Sequence, residues 1–424
     1  MSKNYPVICL CLALLGAFPL AVRGQQPPSK GDDKSKGQSP AGGAAKGETK
    51  SPPTTPAAPT VSLPSQKELL GKAAQLLKDN KPADAAKMYR QAITLYPTAF
   101  EPYDRLARVA LELKNYDEAA LAARKATELN AANPPELLQE YYILASALTE
   151  LGRYDEARTA AGRCVELSPR EPDYRLLLGD IAMRAKDYTG GEAHYLNALG
   201  VAPDSYRAHA GLGDVYEQQG RHQSALQEYE AALRATEGDS QINDDVKQQL
   251  LLSRANSLAG LKRYAEAEKI ARDLLAKSPS NPMFLASLAQ VLDAAGKHDE
   301  AISEYRAAIA KSDKDATLWG NLGWAQYNAE KYDDAIQSCH KALELDPKQS
   351  YVRFNLGLIY AVRNQWREAE KEYQSAISGA AEPDIRAGIN DLQDATEKRP
   401  SVTAIRQAID FLTAADHKAL GFAE

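Results

Sequence analysis

The chain holds little cysteine, tryptophan or phenylalanine, 4, 3 and 6 residues among 424, and each shortage excludes something. Cys9 and Cys11 lie in the first apolar stretch, which leaves only Cys164 and Cys339 in the body of the chain and excludes a disulfide-stapled scaffold. Histidine is sparse too, and its 6 copies form no His-Glu-x-x-His motif. With no Cys-x-x-Cys pair beside them, no metal site is expected. There is no Gly-x-Ser-x-Gly elbow, phosphate loop or dinucleotide fingerprint, so the expectation is a chain without cofactor and without enzymatic chemistry. Positive charge does not dominate either. The net charge is −6, and the first 65 residues carry a lysine surplus, so the remaining body is more acidic still. An acidic body argues against nucleic acid as partner.

Long apolar runs are missing except at the start. Residues 7–22 form an uncharged run of 16 after Lys3, followed by Val22-Arg23-Gly24 with small residues where a signal peptidase reads. The run falls short of the roughly 20 residues that span a bilayer, and Pro19 disturbs its end. Residues 1–24 therefore read as a cleavable signal peptide, cut after Gly24, which implies a secreted or periplasmic protein with no membrane span after cleavage. The alternative is an uncleaved inner-membrane anchor. Residues 25–65 follow with 8 Pro, 5 Gly and no aromatic residue. A segment of that composition buries too little to offset its ordering entropy, and it reads as a disordered linker.

What is abundant is repetition. The turn signals Asn115-Tyr-Asp-Glu-Ala, Arg153-Tyr-Asp-Glu-Ala, Lys331-Tyr-Asp-Asp-Ala and Gln365-Trp-Arg-Glu-Ala recur with a period near 34 residues, and nine copies start at 66, 100, 138, 172, 206, 248, 282, 316 and 350. A fixed period of this size predicts a stack of helix pairs. Ala73, Ala107, Ala145, Gly179, Gly213, Ala255, Ala289, Gly323 and Gly357 occupy one slot of the first helix, where a small side chain lets two helices approach. Tyr89, Tyr195, Tyr229, Tyr305 and Tyr373 share one slot of the second helix and fill the space left. Asn80, Gly152, Gly220, Gly296 and Asn364 supply the left-handed residue that ends the first helix in five copies. Cys164 and Cys339 fall in packing slots five repeats apart. At about 10 Å per repeat they cannot form a disulfide. His222, His298 and His209 register with Tyr or Trp of other copies and read as packing rings.

The pattern resembles the tetratricopeptide repeat family across residues 66–383. The family's signature is nearly complete in Trp319-Gly-Asn-Leu-Gly-Trp and its continuation through Ala335, Ala342 and Pro347. The resemblance implies an all-α, right-handed solenoid of about nine helix-turn-helix repeats, with residues 384–424 as capping helices and tail. It also implies that the first helices line a concave groove that binds an extended peptide or a partner helix. The matching positions are Asp173, Asp180, Asp214, Glu217, Asn256, Gln290 and Asp293 in the middle and Trp324, Tyr327, Tyr351, Phe354 and Leu358 toward the C-terminus.

An acidic middle and an aromatic end point to a basic or neutral protein segment as partner. The same rings equally suit packing between helices or against the cap, or stacking on sugars, so a peptidoglycan- or glycan-binding module is the alternative to a protein-binding scaffold, and an enzyme comes last. The family's clamp of Lys, Arg and Asn on a tail carboxylate is not reproduced, because Leu252 stands one turn before Asn256 where that clamp has Lys.

Overall fold

The computed structural model describes residues 63–133, 137–237, 242–378 and 382–419, all helix and turn without strand. The predicted signal peptide, Cys9, Cys11 and nearly all of the predicted linker lie outside the described residues. Two compact units are divided within one helix, between Ala147 and Leu148.

The N-terminal unit contains α1 (Gln66–Lys78), α2 (Pro82–Leu95), α3 (Phe100–Glu112), α4 (Tyr116–Leu129) and most of α5 (Leu138–Glu150). Its first helix begins on a reciprocal cap. The Glu68 amide donates to Ser65 Oγ at 3.3 Å while the Ser65 amide donates to Glu68 Oε2 at 2.8 Å, satisfying two amides that the helix leaves open. Ala73, Ala85, Ala107 and Ala119 are fully buried where the paired helices touch, and Tyr89 fills the gap beside them.

The C-terminal unit begins with the end of α5 and continues with α6 (Tyr154–Leu167), α7 (Pro172–Arg184), α8 (Tyr188–Val201), α9 (Tyr206–Gln218), α10 (His222–Ala235), α11 (Asp244–Gly260) and α12 (Tyr264–Lys277). Then come α13 (Pro282–Ala294), α14 (His298–Ile309), α15 (Ala316–Asn328), α16 (Tyr332–Leu345), α17 (Ser350–Val362), α18 (Trp366–Ile377), α19 (Glu382–Lys398) and α20 (Thr403–Ala419). Consecutive helices pack as pairs. In addition α7 packs on α9, α11 on α13, α13 on α15 and α15 on α17, so the first helices of the pairs share one face.

Glycine in the small slot is explained by its neighbour. A Cβ on Gly179, Gly213 or Gly357 would lie 2.5, 2.6 or 2.7 Å from the ring of Tyr195, Tyr229 or Tyr373, and one on Gly323 would lie 2.7 Å from Cys339 Sγ. Cys164 and Cys339 are buried and in no disulfide. Each turn between paired helices carries one left-handed residue: the five Asn and Gly positions above, and also Lys114, Lys186, Lys262 and Glu330 at the same register. The first helices start where the period places them, except that α11 begins at Asp244, four residues early. There Asn243 caps it by accepting the Asp245 amide at 3.1 Å.

The repeat pattern breaks at the C-terminus. α20, not α19, packs against α18, and its start is held by the turn residue Asn364, whose Oδ1 accepts from the Thr403 hydroxyl at 3.0 Å and the Ala404 amide at 3.2 Å. α19 instead packs chiefly on α20 and also on α17, the first helix of the last repeat pair.

Candidate functional site

Four side chains one repeat apart, Asp180 of α7, Asp214 of α9, Asn256 of α11 and Gln290 of α13, occupy the same register of their first helices. The shared face therefore carries a row of oxygen acceptors. Asp180 Oδ1 accepts from the Tyr195 hydroxyl at 2.7 Å, and Asp214 Oδ1 accepts from the Tyr229 hydroxyl at 2.6 Å. Each tyrosine is thus the slot-filling ring of its helix pair and also the group that fixes a carboxylate. The second oxygen of each carboxylate takes no partner among the described residues. Both carboxylates keep some contact with solvent but are ringed by protein. Burial pushes Asp214 up to about 7 against the Tyr229 hydrogen bond, with the charges of Asp180 and Glu217 adding. Burial raises Asp180 as well, opposed by its Tyr195 hydrogen bond and by Arg207 and Arg184.

Further along the row, Asn256 is 8% exposed and its Oδ1 has no hydrogen-bond partner among the described residues; the same holds for Gln290 Oε1. Ser287, one turn before Gln290, is buried with its Oγ unpartnered too. Buried polar atoms without partners are uncommon in folded proteins, because desolvation costs about 1 to 3 kcal/mol each. Asp180 and Asp214 are partly exposed and can accept from whatever enters, whereas the Asn256 and Gln290 oxygens are buried and meet a ligand only after a side-chain shift; a ligand of matching chemistry brings N–H donors or positive charge.

The remaining positions marked from sequence have other surroundings. Glu217, only 4% exposed, meets His222 Nδ1 through Oε1 at 2.7 Å and accepts from the Ser257 hydroxyl through Oε2 at 2.7 Å. Asp293 meets His298 Nδ1 at 2.7 Å and accepts from Asn328 Nδ2 at 2.9 Å. Both carboxylates are committed inside the stack, each bridging to the next repeat. Asp173 is exposed and accepts from Arg207 at 2.9 Å.

The aromatic end is divided. Phe354 and Leu358 are buried in one cluster with Ile385 and Leu392 of α19, and Trp324 and Tyr327 pack against it half-buried. Tyr351 packs instead on the cluster around Cys339, Val352 and Leu356. The α19 helix covers the face that Trp324, Tyr327, Phe354 and Leu358 form.

Sequence profiles of the tetratricopeptide repeat match residues 70–134, 142–199, 188–240, 252–316 and 316–349, together more than half of the chain. The chain belongs to the tetratricopeptide repeat family. Solved structures similar to it include a tetratricopeptide repeat protein from Parabacteroides merdae, at 16% identity over 69% of this chain and 98% of that one, with a TM-score of 0.43. The Cut9–Hcn1 hetero-tetramer of APC/C matches at 16% identity over 82% of this chain and 63% of that one, with a TM-score of 0.44. YrrB, described as a TPR protein with an unusual peptide-binding site, matches at 19% identity over 45% of this chain and 94% of that one, with a TM-score of 0.32. No curated protein matches the chain.

Two features of this tetratricopeptide array escaped the sequence reading. The rings of His222 and His298 do fill aromatic slots, yet each also binds the carboxylate five residues earlier, Glu217 or Asp293. The repeated Glu/Asp-to-His spacing was the available signal. In the N-terminal unit, Glu140 of α5 is 1% exposed, its Oε2 has no hydrogen-bond partner among the described residues, and it faces the Asp104 carboxylate of α3. Burial and the neighbouring Asp104 carboxylate push Glu140 up to about 8, against Arg108, which pairs with Asp104 at 2.8 Å and reaches Glu140 at 3.8 Å. No sequence pattern announced that pair, because its members sit in different register slots of neighbouring repeats.

Proposed function

We propose that this protein is a non-enzymatic scaffold that holds an extended segment of another protein along the face formed by α7, α9, α11 and α13. The observation that carries this reading is the row Asp180, Asp214, Asn256 and Gln290, with unused acceptor oxygens at successive repeats. A polypeptide supplies what such a row lacks, main-chain N–H donors at regular spacing and cationic side chains. Repeats recur about every 10 Å, which three residues of extended chain span, so Asp180 and Asp214 suit basic side chains three residues apart. The acceptors of the row, rather than the aromatic rings on which a sugar would stack, set the choice of partner, which favours a protein segment over a glycan.

The acting compartment in this reading is the cell envelope, entered through residues 1–24 and reached across residues 25–65. Crosslinking in intact cells, with recovery of the joined protein, tests the partner class. Recovery of glycan without protein contradicts it. Mass analysis of the mature chain tests the address, with Gln25 as the expected first residue.

A further inference from the structure

The α19 helix is fastened differently from every helix before it. It does not continue the stack, a place taken by α20; it packs chiefly on α20 and also on α17. Near its start Asp384 pairs with Lys186, the left-handed residue after α7, at 3.6 Å. Just past its end Arg399 donates to the Tyr332 hydroxyl at 2.7 Å and pairs with Glu330 at 3.5 Å. The chain thus runs from the turn of the fourth repeat to the turn of the eighth. Exposed ion pairs of this kind hold weakly and are screened by salt.

The underside of α19 is an incomplete fit. Ile385, Leu392 and Ala395 are buried, and Gly388 lets the helix approach Phe354, where a Cβ would lie 2.8 Å from the ring. In the same cluster the Tyr373 hydroxyl is buried with no hydrogen-bond partner among the described residues. Asp391 is partly buried near Tyr327 of α15 and Tyr373 of α18, with Asp394 on its own helix and Arg399 beyond; α17 and α20 contribute the apolar Phe354, Leu358 and Leu412 to that cluster. Burial, with the Asp394 charge adding, pushes Asp391 up to about 7. Docking strength from this group is complete below the ordinary carboxylate range and is lost as pH rises through 7.

We propose that α19 is a strap that closes the binding face: docked, it occupies the aromatic end as an intramolecular ligand, and released, it opens the face to the partner segment. The proposal rests on the groove-binding reading above and adds its regulation. Because α20 is capped by Asn364 and packs on α17 and α18, the stack keeps an end helix when α19 lifts.

The test uses the full chain carrying Lys186→Cys and Asp384→Cys, joined by a short bismaleimide crosslinker, with the same chain blocked by N-ethylmaleimide as control. The native thiols interfere little, since burial pushes Cys164 and Cys339 up to about 12 and keeps both protonated. Hydrogen exchange of α19 is read against that of α20, and binding of a fluorescein-labelled peptide of repeated Lys-Ala-Ala is read by anisotropy. In the control, α19 amides should exchange at least about tenfold faster than α20 amides, and the crosslink should abolish the difference. The crosslink should also weaken peptide binding about tenfold or more. Gly388→Leu, which crowds Phe354, should act in the opposite sense on both readouts. Equal exchange of α19 and α20 in the control overturns the strap, as does a crosslinked chain that binds the peptide like the control. If neither form binds the peptide, the groove reading fails, and the strap is then judged on the exchange data alone.

Discussion

Tyr229 donates its hydroxyl to Asp214 Oδ1 at 2.6 Å from a ring that lies where a Cβ of Gly213 would be, so one side chain both seals a helix pair and fixes a carboxylate on the face shared by the first helices. Packing and site chemistry are therefore coupled here. Tyr229→Phe keeps the ring and removes the donor. Since that hydrogen bond holds the Asp214 carboxyl down against burial, the substitution should raise it above about 7. Carboxyl-carbon NMR titration reads the change directly, and an unchanged midpoint would mean that the hydroxyl does not reach Asp214 in solution.

The small slot of the eighth repeat should be intolerant of size. A Cβ at Gly323 already meets Cys339 Sγ at 2.7 Å, so Gly323→Leu should cost at least the about 1 to 3 kcal/mol typical of overpacking, with a lower melting temperature. Cys339→Ala in the same chain should recover part of the loss for the smaller Gly323→Ala substitution. Damage should concentrate in α15 to α18, because repeats couple chiefly to their neighbours. Melting like the parent would place Gly323 in the wrong register.

Glu140 and Asp104 should make the N-terminal unit sensitive to alkali. The folded Glu140 carboxyl lies at about 8, far above its unfolded value, so its contribution is complete below the ordinary carboxylate range and is lost as pH rises through 8. Glu140→Gln removes the titration while keeping the shape. The melting temperature of the variant should fall less than that of the parent between pH 7 and 9. Parallel pH profiles would show that Glu140 is not raised by its surroundings.

Much of this fold was legible in the sequence because each repeat states its rules with few residue types. Ala or Gly opposite Tyr, and the recurring turn signals, placed the pairs without help from distant contacts. The left-handed turn was legible from residue type at Gly152 or Asn80 but not at Lys114 or Glu330, where only register reveals it, since the turn geometry outweighs the strain on an ordinary side chain. The shared face of the first helices was legible in part. Register placed Asp180, Asp214, Asn256 and Gln290 in one row, but it could not separate them from Glu217 and Asp293, which histidines five residues later draw into the stack. It also could not show that α19 would leave the repeat path and cover Phe354 and Leu358, because one amphipathic face fits either location.

The central claim is that the acceptor row binds a donor-rich segment, and the most direct measurement is anisotropy titration of the labelled Lys-Ala-Ala peptide with the parent chain and with Asp180→Asn combined with Asp214→Asn. Removing two carboxylates from the face should weaken binding about tenfold or more at low ionic strength. The gap should narrow at physiological salt, where charges more than about 8 Å apart are screened. Equal affinity of the two chains at low salt would contradict the account and move the interaction to another face of the stack.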